Sequence, residues 1–496
     1  TLVGYAVVKL LHEAGVPAEV LQFVPGDGAT VGATLTRDPR VAGVAFTGST
    51  EVARIINRTL AERDAAIGVL IAETGGQNAL IADSSSLPEQ LVKDAITSAF
   101  GSAGQRCSAA RVLFVQKDIA DRVIEMLAGA MDELVVGDPG LLSTDVGPVI
   151  DAEALGILQA HAQRMDAEAR LIKALAPAEG CEHGSFFGPR AYEIPSLSML
   201  TREVFGPVLH VLRFDGEKLD EVIAAINATG YGLTLGIHSR IDETVEKISR
   251  GVRVGNCYVN RNQIGAVVGV QPFGGEGLSG TGPKAGGPLY LHRLLARTPG
   301  PVFERPAAEL PALDAFAEWL ERDARTLLEG DDIAVLRDRL DAYRARRLDG
   351  LQLTLPGPTG EDNSLRFVPR GLIAAVANSD AGRVHQLLAA LATGNRLLVD
   401  DNAATRRLAG ALPDTLARHL EVRADWQTQD FGALLCDTAD GEAAHWRTEM
   451  AARPGPLVGV LHPQPEYDPA RLVHERTLSI NTAAAGGNAS LMAMSG

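Results

Sequence analysis

The first eighty residues alternate between two apolar patterns. "LVGYAVVKLLHEA" and "TEVARIINRTL" place apolar residues at helical spacing, whereas "VLQFVP", "VAGVAFTGS" and "GVLIAETGG" are short strand-like runs. A Gly-rich turn and helix, "GDGATVGATL", lies between the first two runs. Short apolar strands alternating with helices predict an α/β fold with a parallel sheet and crossover connections. From 74 to about 298 the pattern is mixed. It predicts helices near 88–100, 118–134 and 217–227 and a strand at 111–116, and it closes on "PFGGEGLSGTGPKAGGP". A glycine run this ordered brings backbone close to a ligand or to another chain. The proline-rich stretch "ARTPGPVFERPAAELPAL" marks a boundary at 299–312. Charged helices follow over 313–346, then a second α/β pattern through "LRFVPRGLIAAVANSD" and "VHQLLAALATGNRLLVDD".

Composition narrows the class. The 496 residues are 46% hydrophobic and 22% charged, enough for two to four domains with sizeable cores. A formal net charge of -16 argues against a nucleic-acid surface, although local groups can still hold an anionic small molecule. The four cysteines are far apart, with no C-x-x-C pair and no neighbouring histidine cluster. Neither a disulfide framework nor a metal site is expected, and a reducing, cytoplasmic compartment fits. No apolar stretch is long enough for a membrane span. The N-terminal helix lacks signal-peptide features, so the chain is expected to begin inside a domain.

Several strand ends carry candidate chemistry. Gly26, Gly28 and Gly32 in "PGDGATVG" precede a helix, but their spacing misses the dinucleotide fingerprint by one residue. In "FTGSTEVA", Gly48 and Ser49 form a second strand–turn–helix. Ser49 is either a helix cap or part of a pyrophosphate seat on the same amides. Glu73 ends a strand and precedes two glycines, so it is either an exposed strand-end residue or a general base raised by partial burial. Cys107 lies in "GSAGQRCSAA", which is not an apolar slot, and Arg106 beside it is expected to favour the thiolate. In "REVFGPVLHV", Glu203 and Phe205 suit a ribose hydroxyl and a flat ring, or simply a surface turn.

Taken in order, "FTGSTEVA", "ETGGQNA", "GQRCSA", "EVFGPV" and the glycine run resemble the aldehyde dehydrogenase superfamily, over about 1–298. The likeness is greatest to the glutamate-semialdehyde dehydrogenase module of bifunctional proline-catabolic members. The resemblance implies an aldehyde dehydrogenase-like α/β fold with a partial NAD-binding Rossmann-type domain at 1–73. It places a catalytic domain with anchor loop and oligomerisation flap at 74–298, a linker at 299–312 and a non-catalytic dehydrogenase-like domain at 313–496. It implies Cys107 as nucleophile, Glu73 as general base, and Gly48, Ser49, Glu203 and Phe205 as NAD contacts. Ser279, with Gly277 and Leu278, is implied to anchor the substrate carboxylate, with Ser108 a second candidate.

The implied reaction is NAD-dependent oxidation of L-glutamate γ-semialdehyde to glutamate. The resemblance also implies an upstream proline dehydrogenase module, which would hold FAD, and a homo-oligomer. The family's adenosine-ribose Lys and Glu and an oxyanion Asn precede the motifs found here, so weak activity is expected of this polypeptide alone. In the tail, Asp400 and Ala403 stand where the family's Lys and Glu would, which implies a degenerate domain with a structural role. A different aldehyde substrate, or a non-catalytic scaffold, remains an alternative.

Overall fold

The computed structural model describes residues 1–64, 66–295, 303 and 311–482. Its centre is a ten-stranded sheet. From one edge the order is Gln352–Leu355, Glu361–Pro369, Val473–Asn481, Asn256–Val259, Thr234–His238, Ala79–Ala82, Val112–Gln116, Val208–Phe214, Arg190–Glu193 and Arg170–Ala174. The strands from Val473–Asn481 to Arg190–Glu193 pair in parallel, and the antiparallel pairings lie at the two edges. Parallel strands must be covered on both faces, which is why "NALIA" and "RVLFV" are continuously apolar. Leu80, Ile81, Val112, Leu113, Val115, Leu235 and Ile237 are all buried. The helix Lys117–Asp132 turns Ala120, Val123, Ile124, Leu127 and Met131 into this core, at the spacing expected of one helical face.

A second sheet of five parallel strands runs Leu420–Arg423, Arg396–Asp400, Leu372–Ala377, Ala433–Asp437 and Gly459–Leu461. The helix Asp380–Ala392 is buried against it, and Phe316 and Trp319 of the helix Pro311–Arg322 join the same core. The Trp319 indole N–H reaches the Ala411 carbonyl at 2.8 Å.

The division expected near 313 cuts across the first sheet. Gln352–Leu355, Glu361–Pro369 and Val473–Asn481 come from the later part of the chain, yet they extend the sheet of the earlier part. Thr477 N–H bonds the Gly255 carbonyl at 2.8 Å. The proposed linker falls almost wholly outside the described residues.

The N-terminal region contributes two parallel strands, Gly43–Thr47 and Val69–Glu73, in register from Gly43↔Val69 to Thr47↔Glu73. The helix Thr50–Glu62 packs on them and meets the helix Asp440–Ala452 of the second unit. Arg54 donates to the Gly455 carbonyl at 2.8 Å and Arg58 to the Ala451 carbonyl at 3.3 Å. The Gly28–Gly32 segment is a wide, π-type turn whose Thr30 N–H is capped by Asp27 at 2.8 Å. A carboxylate therefore already caps the first glycine turn. Among the described residues no helix is long and apolar enough to cross a membrane.

Replacing Thr477 with proline removes the N–H that joins the two parts of the chain. It is expected to destabilise the protein by about 3 kcal/mol, measured as a lower midpoint in urea unfolding.

Candidate functional site

Cys107 sits in the loop that leaves the helix Pro88–Phe100. Helix continuation stops where Ser102, Ala103 and Gly104 adopt left-handed φ of 57°, 53° and 64°. A Cβ on Gly104 would lie 2.3 Å from the Gly206 carbonyl oxygen, so only glycine fits there. Two left-handed non-glycine residues cost about 1 kcal/mol or more each, and neighbouring bonds must hold them.

Those bonds come from buried side chains. Arg111, 1% exposed, donates to the carbonyls of Gly104 (2.6 Å), Gly206 (3.1 Å) and Arg106 (3.2 Å). Asn78 donates to the carbonyls of Cys107 (2.6 Å) and Ala109 (2.9 Å), while its Oδ1 accepts Thr234 N–H at 3.1 Å. The Ser108 carbonyl accepts from Thr234 Oγ1 (3.1 Å) and Gln263 Nε2 (3.3 Å), and Ser108 itself is buried. Sequence reading missed Asn78, Arg111, Thr234 and Gln263. Arg111 alone left a trace there, as a charge leading an otherwise apolar strand.

Cys107 is half-buried, and the other three cysteines are buried. Burial pushes its thiol pKa up, and the Glu203 and Glu73 carboxylates push in the same direction. This corrects the expectation that Arg106 favours the thiolate: the Arg106 side chain turns to Ser102 Oγ at 2.9 Å and is exposed.

Glu73 ends its strand against the glycine run. A Cβ on Gly274 or Gly280 would lie 3.0 or 2.8 Å from its Oε1, so those glycines make room for the carboxyl group. Oε2 accepts Gly275 N–H at 2.8 Å, and Oε1 is buried with no partner. Burial pushes the Glu73 pKa up to about 8, against the pull of the Gly275 N–H and the Lys284 charge. The carboxyl group is poised near neutrality with one oxygen free, which suits a general base.

The remaining predicted residues divide. At the second turn Ser49 Oγ caps Val52 N–H at 3.2 Å, and the turn opens the helix Thr50–Glu62 beside Glu73. Glu203 lies inward: its Oε1 pairs with Arg111 at 3.1 Å, and a Cβ on Gly75 would meet its Oε2 at 1.7 Å. A ribose there would share this carboxylate with Arg111, a partner that the sequence did not suggest. Phe205 is 42% exposed, with the Arg111 guanidinium 5.2 Å from its ring centre.

Ser279 requires a correction. It is 0% exposed, its Oγ accepts Gly232 N–H at 2.9 Å, and its carbonyl accepts Thr74 N–H at 2.9 Å. The Leu278 carbonyl takes Thr74 Oγ1 (2.6 Å) and Thr50 Oγ1 (3.4 Å), and Gly277 pairs with Tyr231. The 277–279 segment therefore ties the Glu73 strand to its neighbours and presents no hydroxyl to a substrate. The segment facing the exposed side of the cysteine loop is 264–265: a Cβ on Gly265 would lie 4.0 Å from Arg106 Nη1, and the Ile264 side chain meets Gly101.

Two outcomes follow from this geometry. Iodoacetamide is expected to modify Cys107 alone in the folded protein, with a rate that climbs through and beyond the ordinary thiol range, read by mass spectrometry across pH. Arg111→Met leaves the Glu203 carboxylate buried and unpaired, and is expected to cost about 3–5 kcal/mol in urea unfolding.

Residues 1–298 match the Aldehyde dehydrogenase family. The chain is 47% identical over 500 residues to the bifunctional protein PutA of Klebsiella aerogenes, covering 97% of this chain and 38% of that protein. It thus spans well under half the length of that curated relative. The structure of proline utilization A from Corynebacterium freiburgense is similar over 97% of this chain and 46% of its own, with 25% identity and a TM-score of 0.71. A 1-pyrroline-5-carboxylate dehydrogenase from Thermus, solved with bound NAD, is 36% identical with a TM-score of 0.56, covering 59% of this chain and 57% of its own. The chain belongs to the aldehyde dehydrogenase family.

Proposed function

We propose that this chain carries the NAD-dependent oxidation of L-glutamate γ-semialdehyde, which exists in equilibrium with cyclic pyrroline-5-carboxylate, to L-glutamate in proline degradation. The observation that carries the reading is a single accessible cysteine in the same site as a buried carboxyl group with one free oxygen and a pKa near 8. The 38% identical 1-pyrroline-5-carboxylate dehydrogenase of Geobacillus kaustophilus supports the substrate. The bifunctional relative, of which this chain spans 38%, is consistent with a second activity, read as a proline dehydrogenase that would hold FAD, in the part of such a protein that this chain does not span. Four free cysteines suit a reducing cytoplasm.

The residues present fit the pyrophosphate and nicotinamide half of NAD. A Cβ on Gly48 would displace the Phe46 ring, 2.4 Å away, and the turn leads into the N-terminus of a thirteen-residue helix. Phe205 offers an exposed ring beside the buried Glu203. When bound, NAD supplies the acceptor for the hydride.

The protein's own groups do the rest. The Cys107 sulfur, as thiolate, bonds the aldehyde carbon and its carbonyl π electrons move to oxygen. Loss of hydride from that carbon restores the carbonyl as a thioester. Glu73 then takes a proton from water on Oε1, the hydroxide adds to the thioester carbon, and the Cys107 thiolate leaves as glutamate forms. Gly275 N–H holds Oε2 throughout.

Among the described residues of the later domain, the one cysteine, Cys436, is buried. The domain's helix Ala403–Ala411 is closed by a capping box in which Asn402 Oδ1 takes the Ala404 and Thr405 N–H groups. Asp400 and Ala403 stand where the family's Lys and Glu would, so a structural role is assigned to this domain.

In the full-length protein, Cys107→Ala is expected to abolish NADH formation from the semialdehyde. Glu73→Gln should retain a burst of about one NADH per site and lose steady turnover. For the unsubstituted enzyme, turnover should rise as pH climbs through about 8, because the base works only when deprotonated. Unchanged turnover in Cys107→Ala overturns the assignment.

A further inference from the structure

Behind Glu73 lies a buried group of ionisable side chains that the reaction does not consume. Lys284 is 2% exposed, and its Nζ donates to the Gly274 carbonyl and to Asn256 Oδ1, each at 2.6 Å. Asn256 Oδ1 also accepts Gly274 N–H at 3.2 Å. The next residue, Gly275, supplies the N–H that holds Glu73 Oε2. Gly274 and Gly275 have no side chains to pack, so their shared peptide takes its orientation from these bonds.

Lys284 is itself seated from the far end of the chain. Its backbone N–H donates to Glu475 Oε2 at 2.8 Å. Glu475 is 9% exposed, and its Oε1 is buried without a hydrogen-bond partner. It stands on the strand Val473–Asn481, which pairs with Asn256–Val259, so one register brings both Glu475 and Asn256 to Lys284.

The other charges are accounted for. Arg476 donates to both oxygens of Glu276, at 3.0 and 2.7 Å, leaving Glu276 already satisfied. Glu475 is the strongest attractive charge on the Lys284 ammonium, followed by Glu73 and Glu276, while Arg476 opposes them. Arg370 faces Glu475, and His474 lies buried near Glu276.

We propose that Lys284 and Glu475 are positioning residues for Glu73. Glu475 seats Lys284, Lys284 clamps the Gly274–Gly275 peptide, and that peptide holds the Glu73 carboxyl group with one oxygen free to take a proton from water. The inference rests on the reading of Glu73 as general base. It makes the hydrolytic half of the reaction, and not the Cys107 half, depend on a strand from the later part of the chain.

The test uses K284M, E475A and the double variant K284M/E475L in the full-length protein, with NAD and glutamate semialdehyde. The double variant removes both charges together, a change that buried ionic groups often tolerate. All three are expected to keep the NADH burst within twofold while steady-state kcat falls about tenfold or more, with KM little changed. In K284M the rise of kcat with pH should shift upward by about one unit, because a positive charge facing the base is gone. Unchanged kcat and an unchanged pH profile in folded K284M or in the double variant overturn the proposal. So does an equal loss of burst and turnover, which is the signature of a general structural defect. If the unsubstituted protein forms no NADH from the semialdehyde, the functional reading fails first and the positioning role with it.

Discussion

The strand Val473–Asn481 is the element on which both parts of the chain depend. It is hydrogen-bonded on both sides, parallel to Asn256–Val259 and antiparallel to Glu361–Pro369. Without it the edge of the central sheet would present a row of unpaired backbone groups. Its buried positions are Val473, Glu475, Thr477 and Ser479, so three of the four are polar and the strand is no simple apolar plug. Two of them find partners: Glu475 accepts the Lys284 N–H, and Thr477 Oγ1 donates to the Pro272 carbonyl at 2.9 Å, while Ser479 Oγ is buried without one. The same contacts that close the sheet therefore hold the Pro272–Lys284 segment, which carries the glycines around Glu73.

Electrostatics at the site follow from burial more than from total charge. The chain carries a net charge of -16, yet the site is governed by groups out of water. Burial raises both Glu73 and Cys107, and the nearby carboxylates add to the rise at the thiol. When Glu73 is protonated, its repulsion of a Cys107 thiolate disappears. Glu203 repels the thiolate as Glu73 does, but Arg111 lies against it and supplies five donors in a fixed fork. That one buried arginine also binds three carbonyls, which links the cysteine loop to the 203–206 loop.

Local order was legible wherever one residue's role depends on near neighbours. The helices Lys117–Asp132 and Asp380–Ala392 follow their apolar spacing, and Ser49 caps its helix as its position suggested. Glu73 and Cys107 could be singled out because strand ends and small-residue loops announce themselves. Asp27 shows the limit: the glycine spacing did not reveal that its carboxylate caps Thr30 N–H. Arg106 and Ser279 failed for a similar reason. Adjacency to Cys107 does not decide where a long side chain turns, and a hydroxyl in a glycine run is not thereby exposed.

The sequence by itself determined the helices Leu2–Glu13, Pro88–Phe100 and Lys117–Asp132, the strands Gly43–Thr47, Val69–Glu73 and Val112–Gln116, and the order of the motifs that mark the family, whereas "VLQFVP", expected as a strand, is irregular. Those features depend on spacing within a few residues. Only the tertiary structure decided that Thr477 pairs beside Gly255, that Arg111 meets Glu203, and that Glu475 reaches Lys284. Each joins residues from about ninety to more than two hundred positions apart, where pairing is set by which buried polar groups can satisfy one another once the chain is folded.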